Sequence, residues 1–177
     1  MNKSTREVMS VLSVATAVAS ISLSVAPDAW AQQKAGDAKQ QIVGAWKLVS
    51  TVNTGKDGVT KTGSFGPNPK GMIIFTSSGH YAVVNTRPDL PKFASGSRMQ
   101  GTPEENKAIV QGSNASFGTY SVSADGKALT LKIESGTWPH WNGTEQKRGL
   151  AISGDDMKYT LEASYGGKSE LVWKRIK

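Results

Sequence analysis

The 177-residue sequence contains no cysteine and only two histidines. Without a thiol, the chain cannot form a disulfide, a thiolate metal site or a redox pair. The two histidines, His80 and His140, are far apart in sequence and lack the spacing of metal ligands, so we predict no metal site. The sequence also has no phosphate-binding loop, dinucleotide fingerprint or nucleophile elbow, and we therefore predict no cofactor and no catalytic residue of a known motif.

The sequence has few long apolar runs and an excess of positive charge. Lys and Arg number 21 against 14 Asp and Glu, which gives a net charge of +7. The basic residues are scattered and alternate with apolar ones, as on the outer face of strands. Because no basic run is interleaved with aromatic residues, we predict no nucleic-acid partner.

The single long uncharged stretch lies near the N-terminus, in what resembles a secretory signal peptide. Lys3 and Arg6 provide a basic start, 8–25 is rich in Val, Ala, Ser and Leu, and Ala29 and Ala31 are the small residues that a signal peptidase accepts. We predict cleavage near Ala31, so that the protein is exported to the periplasm or secreted. The alternative is a transmembrane anchor, although five serines lower the apolarity of the stretch.

The remaining chain divides into a short polar segment and one domain. Residues 32–41 are polar and aperiodic, which predicts a flexible lead-in. Residues 42–177 show no repeat and no second linker, which predicts a single domain without stable membrane insertion after cleavage. The oligomeric state is not indicated.

The pattern after residue 41 has a period of two, which is typical of strands. Short strands joined by turns such as Asp125-Gly126 predict an all-β sandwich or barrel. The predicted strands are 42–54, 59–65, 72–77, 80–86, 115–124, 127–134, 144–152, 157–163 and 169–176.

One long connection, 87–114, interrupts this pattern and contains the signals of a short helix. Thr102 is a suitable N-cap, Pro103 suits the first helical position, and Glu104 and Glu105 suit the positive end of a helix that continues to Gly112. A long connection in a β domain is often a lid, and the alternative is a plug that covers an open barrel end.

Alternation along the strands predicts which side chains share an inner face. On two of the strands these are Leu129, Leu131 and Ile133, and Met157, Tyr159 and Leu161.

Alternation also predicts an arginine on the inner face. Leu150 and Ile152 are expected to face inward. Because every second residue of a strand shares a face, Arg148 and Gln146 are expected on the same inner face. An inward arginine is costly unless its charge is compensated. The sequence leaves four arrangements open: a carboxylate partner, a wet cavity, a ligand that supplies an anion, or a rim position in contact with water.

Five segments, in this order, resemble the bacterial lipocalin-like domain family of the calycin group. They are the opening strand 42–50 with Gly44-x-Trp46, 65–75 with Phe65-Gly66-Pro67, Gly118-x-Tyr120, Pro139-x-Trp141-x-Gly143-Thr144-x-Gln146-x-Arg148, and Leu171-x-Trp173-x-Arg175.

The resemblance implies an antiparallel up-and-down β-barrel of about eight strands, with one short helix in a long connection. A barrel of this size can enclose one small ligand. In lipocalins proper, the tryptophan of Gly-x-Trp plugs the closed end and a basic residue of the last strand packs over it. The resemblance therefore implies that Trp46 and Arg175 are structural, with cation–π stacking as the physical reason.

Three functions follow from these observations. The first is binding of a small apolar or amphipathic ligand, in one version anionic, with aromatic residues supplying apolar contact and Gln146 and Arg148 orienting a polar head. The second is an isomerase or cyclase in which Tyr120, His140 or Arg148 polarises the ligand, although no convincing pair of titrating groups is present. The third is an envelope interaction protein with a filled barrel. The candidate ligand-binding residues are Phe75, Tyr81, Phe117, Tyr120, Trp138, Trp141, Gln146 and Arg148.

Overall fold

The computed structural model describes residues 35–162 and 166–177, with side chains from Ala38 onward. The predicted signal peptide and its cleavage site lie outside the described residues. Within the described residues, no helix combines the length and the apolar character needed to cross a membrane. The elements are α1 (Ala35–Gln41), β1 (Gly44–Thr54), β2 (Thr60–Thr62), β3 (Lys70–Phe75), β4 (His80–Thr86), α2 (Pro103–Gly112), β5 (Ser113–Val122), β6 (Ala128–Gly136), β7 (Glu145–Ser153), β8 (Asp156–Glu162) and β9 (Lys168–Arg175).

The strands form one antiparallel sheet that closes on itself. Strands β3 to β9 follow one another in order, β1 pairs with β3, and β1 also pairs with β9. The short β2 pairs only with the end of β1 and lies outside the closed ring. The predicted fold is therefore confirmed: an all-β, closed, eight-stranded antiparallel barrel with a short helix in its long connection.

Alternation along the strands fixes which side chains fill the barrel. Strand β6 buries Leu129, Leu131 and Ile133, and strand β8 buries Met157 and Tyr159. Their neighbours in sequence lie on the outer face, because successive side chains in a strand point to opposite sides. The predicted inward phases of these strands are confirmed.

One end of the barrel is closed by Trp46 and Arg175. Trp46 is fully buried and its indole N–H donates to the carbonyl of Ile42 at 2.8 Å. The guanidinium of Arg175 lies 4.1 Å from the Trp46 ring centroid and donates to the carbonyls of Val43, at 2.9 Å, and Gln41. The stacking of Arg175 on Trp46 that the resemblance implied is present in the structure.

Gly44 is required beside this pair. Its φ of 126° lies in a region that L-residues rarely adopt, and a Cβ there would lie 3.0 Å from the Nη1 atom of Arg175. The packed region around Trp46 and Arg175 is called the closed half below. Its core includes the buried side chains of Ile42, Leu48, Ile73, Phe75, Leu129, Ile152, Met157 and Trp173.

Two segments differ from the sequence-based expectations. Residues Ala35–Gln41 form α1 in place of an irregular lead-in, and Ala38 is fully buried. The expected strand 59–65 is regular only at Thr60–Thr62. The chain leaves the sheet at Gly63, whose N–H donates to the Thr51 carbonyl at 2.9 Å, and the following turn buries Phe65.

The helix predicted in the long connection is confirmed as α2. Thr102 caps it: the Thr102 hydroxyl accepts from the backbone N–H of Glu105, and the Glu105 carboxylate accepts from the backbone N–H of Thr102. The Glu105 carboxylate also accepts from the Ala94 N–H at 2.8 Å. Both backbone bonds lower the pKa of Glu105, and they fasten the helix to the loop that precedes it.

Candidate ligand-binding cavity

The half of the barrel away from Trp46 is hollow. It contains a cavity of about 530 Å³, within the size range of sites for small molecules. We call this region the hollow half. Its lining is contributed by every strand of the barrel except β3, and consists of Thr51, Asn53, Ser64, Phe65, Val83, Asn85, Asn114, Ser116, Ile133, Trp138, Trp141, Gln146, Lys147, Arg148, Tyr159, Leu161, Glu162, Ser169 and Leu171.

Arg148 faces this cavity from β7, as alternation predicted. Its Nη2 donates to the Gln146 side-chain oxygen at 2.7 Å, and its guanidinium lies 4.7 Å from the ring centroid of Tyr159. Its Nε is buried without a partner. None of the ion pairs formed within the described residues involves Arg148. The carboxylate partner that the sequence left open is therefore not found in this part of the chain.

Two tyrosines lie at the boundary between the two halves. Tyr159 is buried, with its ring centroid 5.7 Å from that of Trp173, and burial raises the pKa of its hydroxyl while the Arg148 guanidinium opposes the rise. Burial likewise raises the pKa of Tyr81, and a hydrogen bond with Ser116 opposes it. The Tyr81 and Ser116 oxygens are 3.4 Å apart. Both phenols therefore stay protonated at neutral pH and present neutral hydroxyls.

Several polar side chains of the lining come from strands β1, β4 and β5. Asn85 and Asn114 are cross-strand partners in the β4–β5 register, and both line the cavity. Their Oδ1 atoms and the Oγ1 of Thr51 are buried, and none has a hydrogen-bond partner among the described residues. Asn53 differs, because its Oδ1 accepts from the Ser169 hydroxyl at 2.8 Å.

Four of the predicted ligand-binding residues line the cavity: Trp138, Trp141, Gln146 and Arg148. The two tryptophans belong to the β6–β7 connection, which carries a 3₁₀ turn at Pro139–Trp141, and their ring centroids are 4.5 Å apart in an edge-to-face arrangement. Together with Phe65 and Tyr159 they form the aromatic part of the lining.

The other four predicted residues do not line the cavity. Phe75 and Tyr120 pack edge to face in the closed half, with ring centroids 4.8 Å apart, and the Tyr120 hydroxyl donates to the Thr76 carbonyl at 2.8 Å. Tyr81 is not among the lining residues, although its hydroxyl lies 3.4 Å from that of Ser116, which lines the cavity. Phe117 is 47% exposed on the outer face, because Ser116 on one side of it takes the inner face and alternation sends Phe117 outward. The placement of these four residues in the cavity was wrong.

The long connection contributes little to the cavity. Of the predicted connection 87–114, only Asn114, which belongs to β5, lines the cavity. Lining residues therefore support neither the lid nor the cover of the barrel end for the rest of this segment. The mouth is instead bordered by the Ser64-Phe65 turn and by the β6–β7 connection. A filled barrel, the premise of the interaction-protein alternative, does not agree with the hollow half.

The groups required by the enzymatic alternative do not converge. Of Tyr120, His140 and Arg148, only Arg148 lines the cavity. His140 is exposed, with its ring centroid 5.4 Å from that of Trp141, and His80 is exposed beside Ser78. Within the described residues, no group of three or more His, Cys, Asp or Glu side chains is placed to hold a metal ion.

The residues that the sequence analysis missed are mostly small and polar. Asn85 follows Tyr81 and Val83 at a spacing of two, so strict alternation already placed it inside. Asn114, Ser116 and Ser169 carried the same kind of signal, which their polarity concealed, since polar strand residues ordinarily face water. Thr51 did not, because an irregularity in the β1–β9 register between Leu48 and Ser50 shifts its phase relative to Trp46 and Leu48. Tyr159 was predicted to face inward but not to line a cavity.

Comparison with known proteins agrees with this geometry. The sequence profile of the lipocalin-like domain family matches residues 43–176. The chain belongs to this family. Lipocalin-like barrels typically bind small hydrophobic ligands, and the predicted resemblance is confirmed. No curated protein matches the sequence.

Solved structures similar to this lipocalin-like chain include two designed barrels and one natural protein. A redesigned β-barrel is 16% identical, with a TM-score of 0.41, over 79% of this chain and 96% of that chain. A de novo fluorescence-activating β-barrel is 13% identical, with a TM-score of 0.39, over 79% and 98%. A mutant of the fluorescent protein UnaG is 12% identical, with a TM-score of 0.35, over 77% and 96%. With TM-scores below 0.5, these likenesses support no argument about function.

Proposed function

We propose that this protein is an exported carrier that holds one small amphipathic ligand in the hollow half, with an anionic or hydrogen-bond-accepting head at Arg148. The observation that carries the proposal is the Arg148 guanidinium in the wall of a cavity of about 530 Å³, without an ion-pair partner among the described residues.

The electrostatics of the lining favour an acceptor head. Arg148 has five N–H donors, and its polar neighbours are the Gln146 side-chain oxygen and the neutral hydroxyl of Tyr159. A guanidinium that is partly buried without a counter-ion is costly, and a carboxylate or similar head would offset this cost through charge-assisted hydrogen bonds. Lys147 adds a second positive charge to the lining, against the exposed carboxylate of Glu162.

The remaining lining favours an apolar body. Phe65, Trp138 and Trp141 provide aromatic surface near the mouth, while Val83, Ile133, Leu161 and Leu171 provide aliphatic surface. Burial of apolar ligand surface against such side chains contributes about 25 cal/mol per Å². An amphipathic molecule satisfies both parts of the lining, whereas a wholly apolar one leaves the guanidinium without a partner.

The export part of the proposal rests on 1–31 of the sequence, with its basic start, uncharged stretch and small residues at 29 and 31. It is tested by fractionating cells that produce the full chain and by measuring the intact mass of the protein outside the cytoplasm. We expect a chain that begins at Gln32. An unprocessed chain held in the membrane would support the anchor alternative instead.

The ligand part is tested by comparing two probes that differ only in the head group, dodecanoate and dodecan-1-ol. Fluorescence of Trp138 and Trp141 at the mouth reports binding. We expect dodecanoate to bind at least about tenfold more tightly, as charge-assisted bonds are about twice as strong as neutral ones. Arg148→Met should remove this preference.

Lys132→Met is the matched control, because it deletes one positive charge from an exposed position of β6, outside the lining. We expect this variant to keep the preference of the wild-type protein. Equal affinity for both probes in the wild-type protein would contradict the assignment of Arg148 to the head group. No binding of either probe would contradict the carrier function.

A further inference from the structure

We infer that the cavity contains a second polar subsite, formed by Asn85 and Asn114, that binds a neutral hydroxyl or carboxamide group of the ligand. This pair is called the amide subsite. The inference rests on the proposed function, and it narrows the ligand from any amphipathic acid to one with a second polar group away from its head.

The amide subsite lies on a different wall of the barrel from Arg148. Asn114 on β5 is separated from Arg148 on β7 by β6, and Asn85 on β4 lies one strand further away in the sheet. The Oγ1 of Thr51, from β1, is also buried in the lining. A single head group at Arg148 does not account for polar side chains on both walls.

Three side-chain oxygens of this wall have no hydrogen-bond partner in the part of the chain that the structure describes. Asn85 is 3% exposed and Thr51 is 7% exposed, and these are the two buried polar residues within the described chain. The Oδ1 atoms of Asn85 and Asn114 and the Oγ1 of Thr51 form no hydrogen bond with described residues. An unsatisfied buried polar group is costly, and a leucine of similar size at either asparagine would avoid that cost.

The backbone of β3 leaves space for the Asn85 side chain and fixes its position. Residue 71, its cross-strand partner on β3, is glycine. A Cβ at this position would lie 2.3 Å from the Asn85 Oδ1, so the absence of a side chain there provides the space for the amide. Asn85 is therefore packed against the β3 backbone, and its amide is fixed before any ligand arrives.

The chemistry of the pair selects the class of group that it takes. A carboxamide offers a donor and an acceptor, so it pairs best with a group that has both, such as a hydroxyl or another carboxamide. A second anion at this subsite would be repelled by the side-chain oxygens of Asn85, Asn114 and Thr51. An ammonium group would be repelled by the N–H groups of the two amides. The geometry thus points to a hydroxylated or amide-bearing amphipathic acid.

The test uses dodecanoate and its isomers with one hydroxyl at successive carbons of the distal half of the chain. Affinities are measured by isothermal titration calorimetry with the wild-type protein, Asn85→Leu and Asn114→Leu. We expect one isomer to bind the wild-type protein at least about tenfold more tightly than dodecanoate, since a site with buried polar groups discriminates against a ligand that lacks the matching group. Each variant should lose this preference and keep its affinity for dodecanoate.

A ligand-free measurement separates binding from folding. Because Asn85 and Asn114 make no side-chain hydrogen bond with described residues, each variant should unfold at the wild-type temperature or above it. A decrease of more than about 5 °C in both variants would assign the amides to the fold and overturn the subsite.

The remaining outcomes are distinguishable. If the wild-type protein binds dodecanoate and every isomer equally, the amide subsite is wrong and the carrier function stands. If it binds none of the acids, the carrier function fails and the subsite fails with it.

Discussion

The closed half and the hollow half of the barrel are built from the same strands but differ in how their polar groups are satisfied. In the closed half, Arg175 stacks on Trp46 and donates to two backbone carbonyls. In the hollow half, Arg148 donates to Gln146 and lies against Tyr159, and its buried Nε has no hydrogen-bond partner among the described residues. Two arginines on inner faces of one barrel thus have opposite surroundings.

The difference comes from the size and polarity of the inner residues along each strand. Strand β1 begins with Trp46 and Leu48 on its inner face and continues with Thr51 and Asn53. Large apolar side chains fill the first half, and small polar ones leave space in the second. Packing density supplies stability where the barrel is full, so the protein separates the region that holds its fold from the region available to a ligand.

The largest effect should come from removing the tryptophan of the closed half. Trp46→Ala should lower the free energy of unfolding by about 3–5 kcal/mol, the range for a buried aromatic residue. Urea denaturation measures this loss. A change below about 1 kcal/mol would show that Trp46 does not close the barrel.

Trp138→Ala is the matched control in the hollow half. Trp138 lies at the mouth and is only partly buried, and its neighbours have open space beside them. We expect its loss to change the free energy of unfolding by less than about 1 kcal/mol. Equal losses of unfolding free energy in Trp46→Ala and Trp138→Ala would show that the two halves do not differ in how much packing stabilises them.

The next effect compares the two arginines. Arg175→Met removes a cation–π contact and two hydrogen bonds to carbonyls, and should cost about 2–4 kcal/mol. Arg148→Met should leave the free energy of unfolding within about 1 kcal/mol of wild type or raise it, because it removes a buried charge without an ion-pair partner. If Arg148→Met unfolds the protein, Arg148 is a structural residue.

The fold could be predicted from the sequence because its signals are local and repeated. Alternation placed Leu129, Leu131, Met157 and Tyr159 inside, and the capping residue Thr102 located the start of α2. The sequence did not show that 59–65 leaves the sheet at Gly63, since that departure depends on a hydrogen bond to the distant Thr51 carbonyl.

The site could be predicted only in part, because a cavity is a property of the whole barrel. Arg148 and Gln146 followed from the phase of Leu150, a local rule. Phe75, Tyr120 and Phe117 were chosen for their aromatic character, and two of them pack in the closed half while the third faces out. The depth at which the barrel changes from full to hollow depends on side chains from all strands at once.

A bound ligand should reduce the difference in local stability between the closed half and the hollow half. At a free concentration ten times the dissociation constant, mass action stabilises the protein by about 1.4 kcal/mol. Hydrogen exchange should show increased protection of the β4–β5 and β7 amides, while the β1–β3 pairing near Trp46 changes little. Protection confined to the outer face would contradict binding in the hollow half.

The smallest effect concerns an exposed ion pair at the closed half. Asp155 pairs with Lys177 at 2.7 Å and lies 3.8 Å from the Arg175 Nε, and the hydrogen bond with Lys177 is the main cause of its lowered pKa. A carboxyl whose pKa is lowered by folding adds stability above its ordinary pKa, and this stability is lost as the pH falls through the lowered pKa. Urea midpoints of the wild-type protein should therefore decrease slightly more on acidification than those of Asp155→Asn. Parallel pH profiles would mean that solvent screening cancels the pair, and that Trp46 and Arg175 close this end without help from the surface charge.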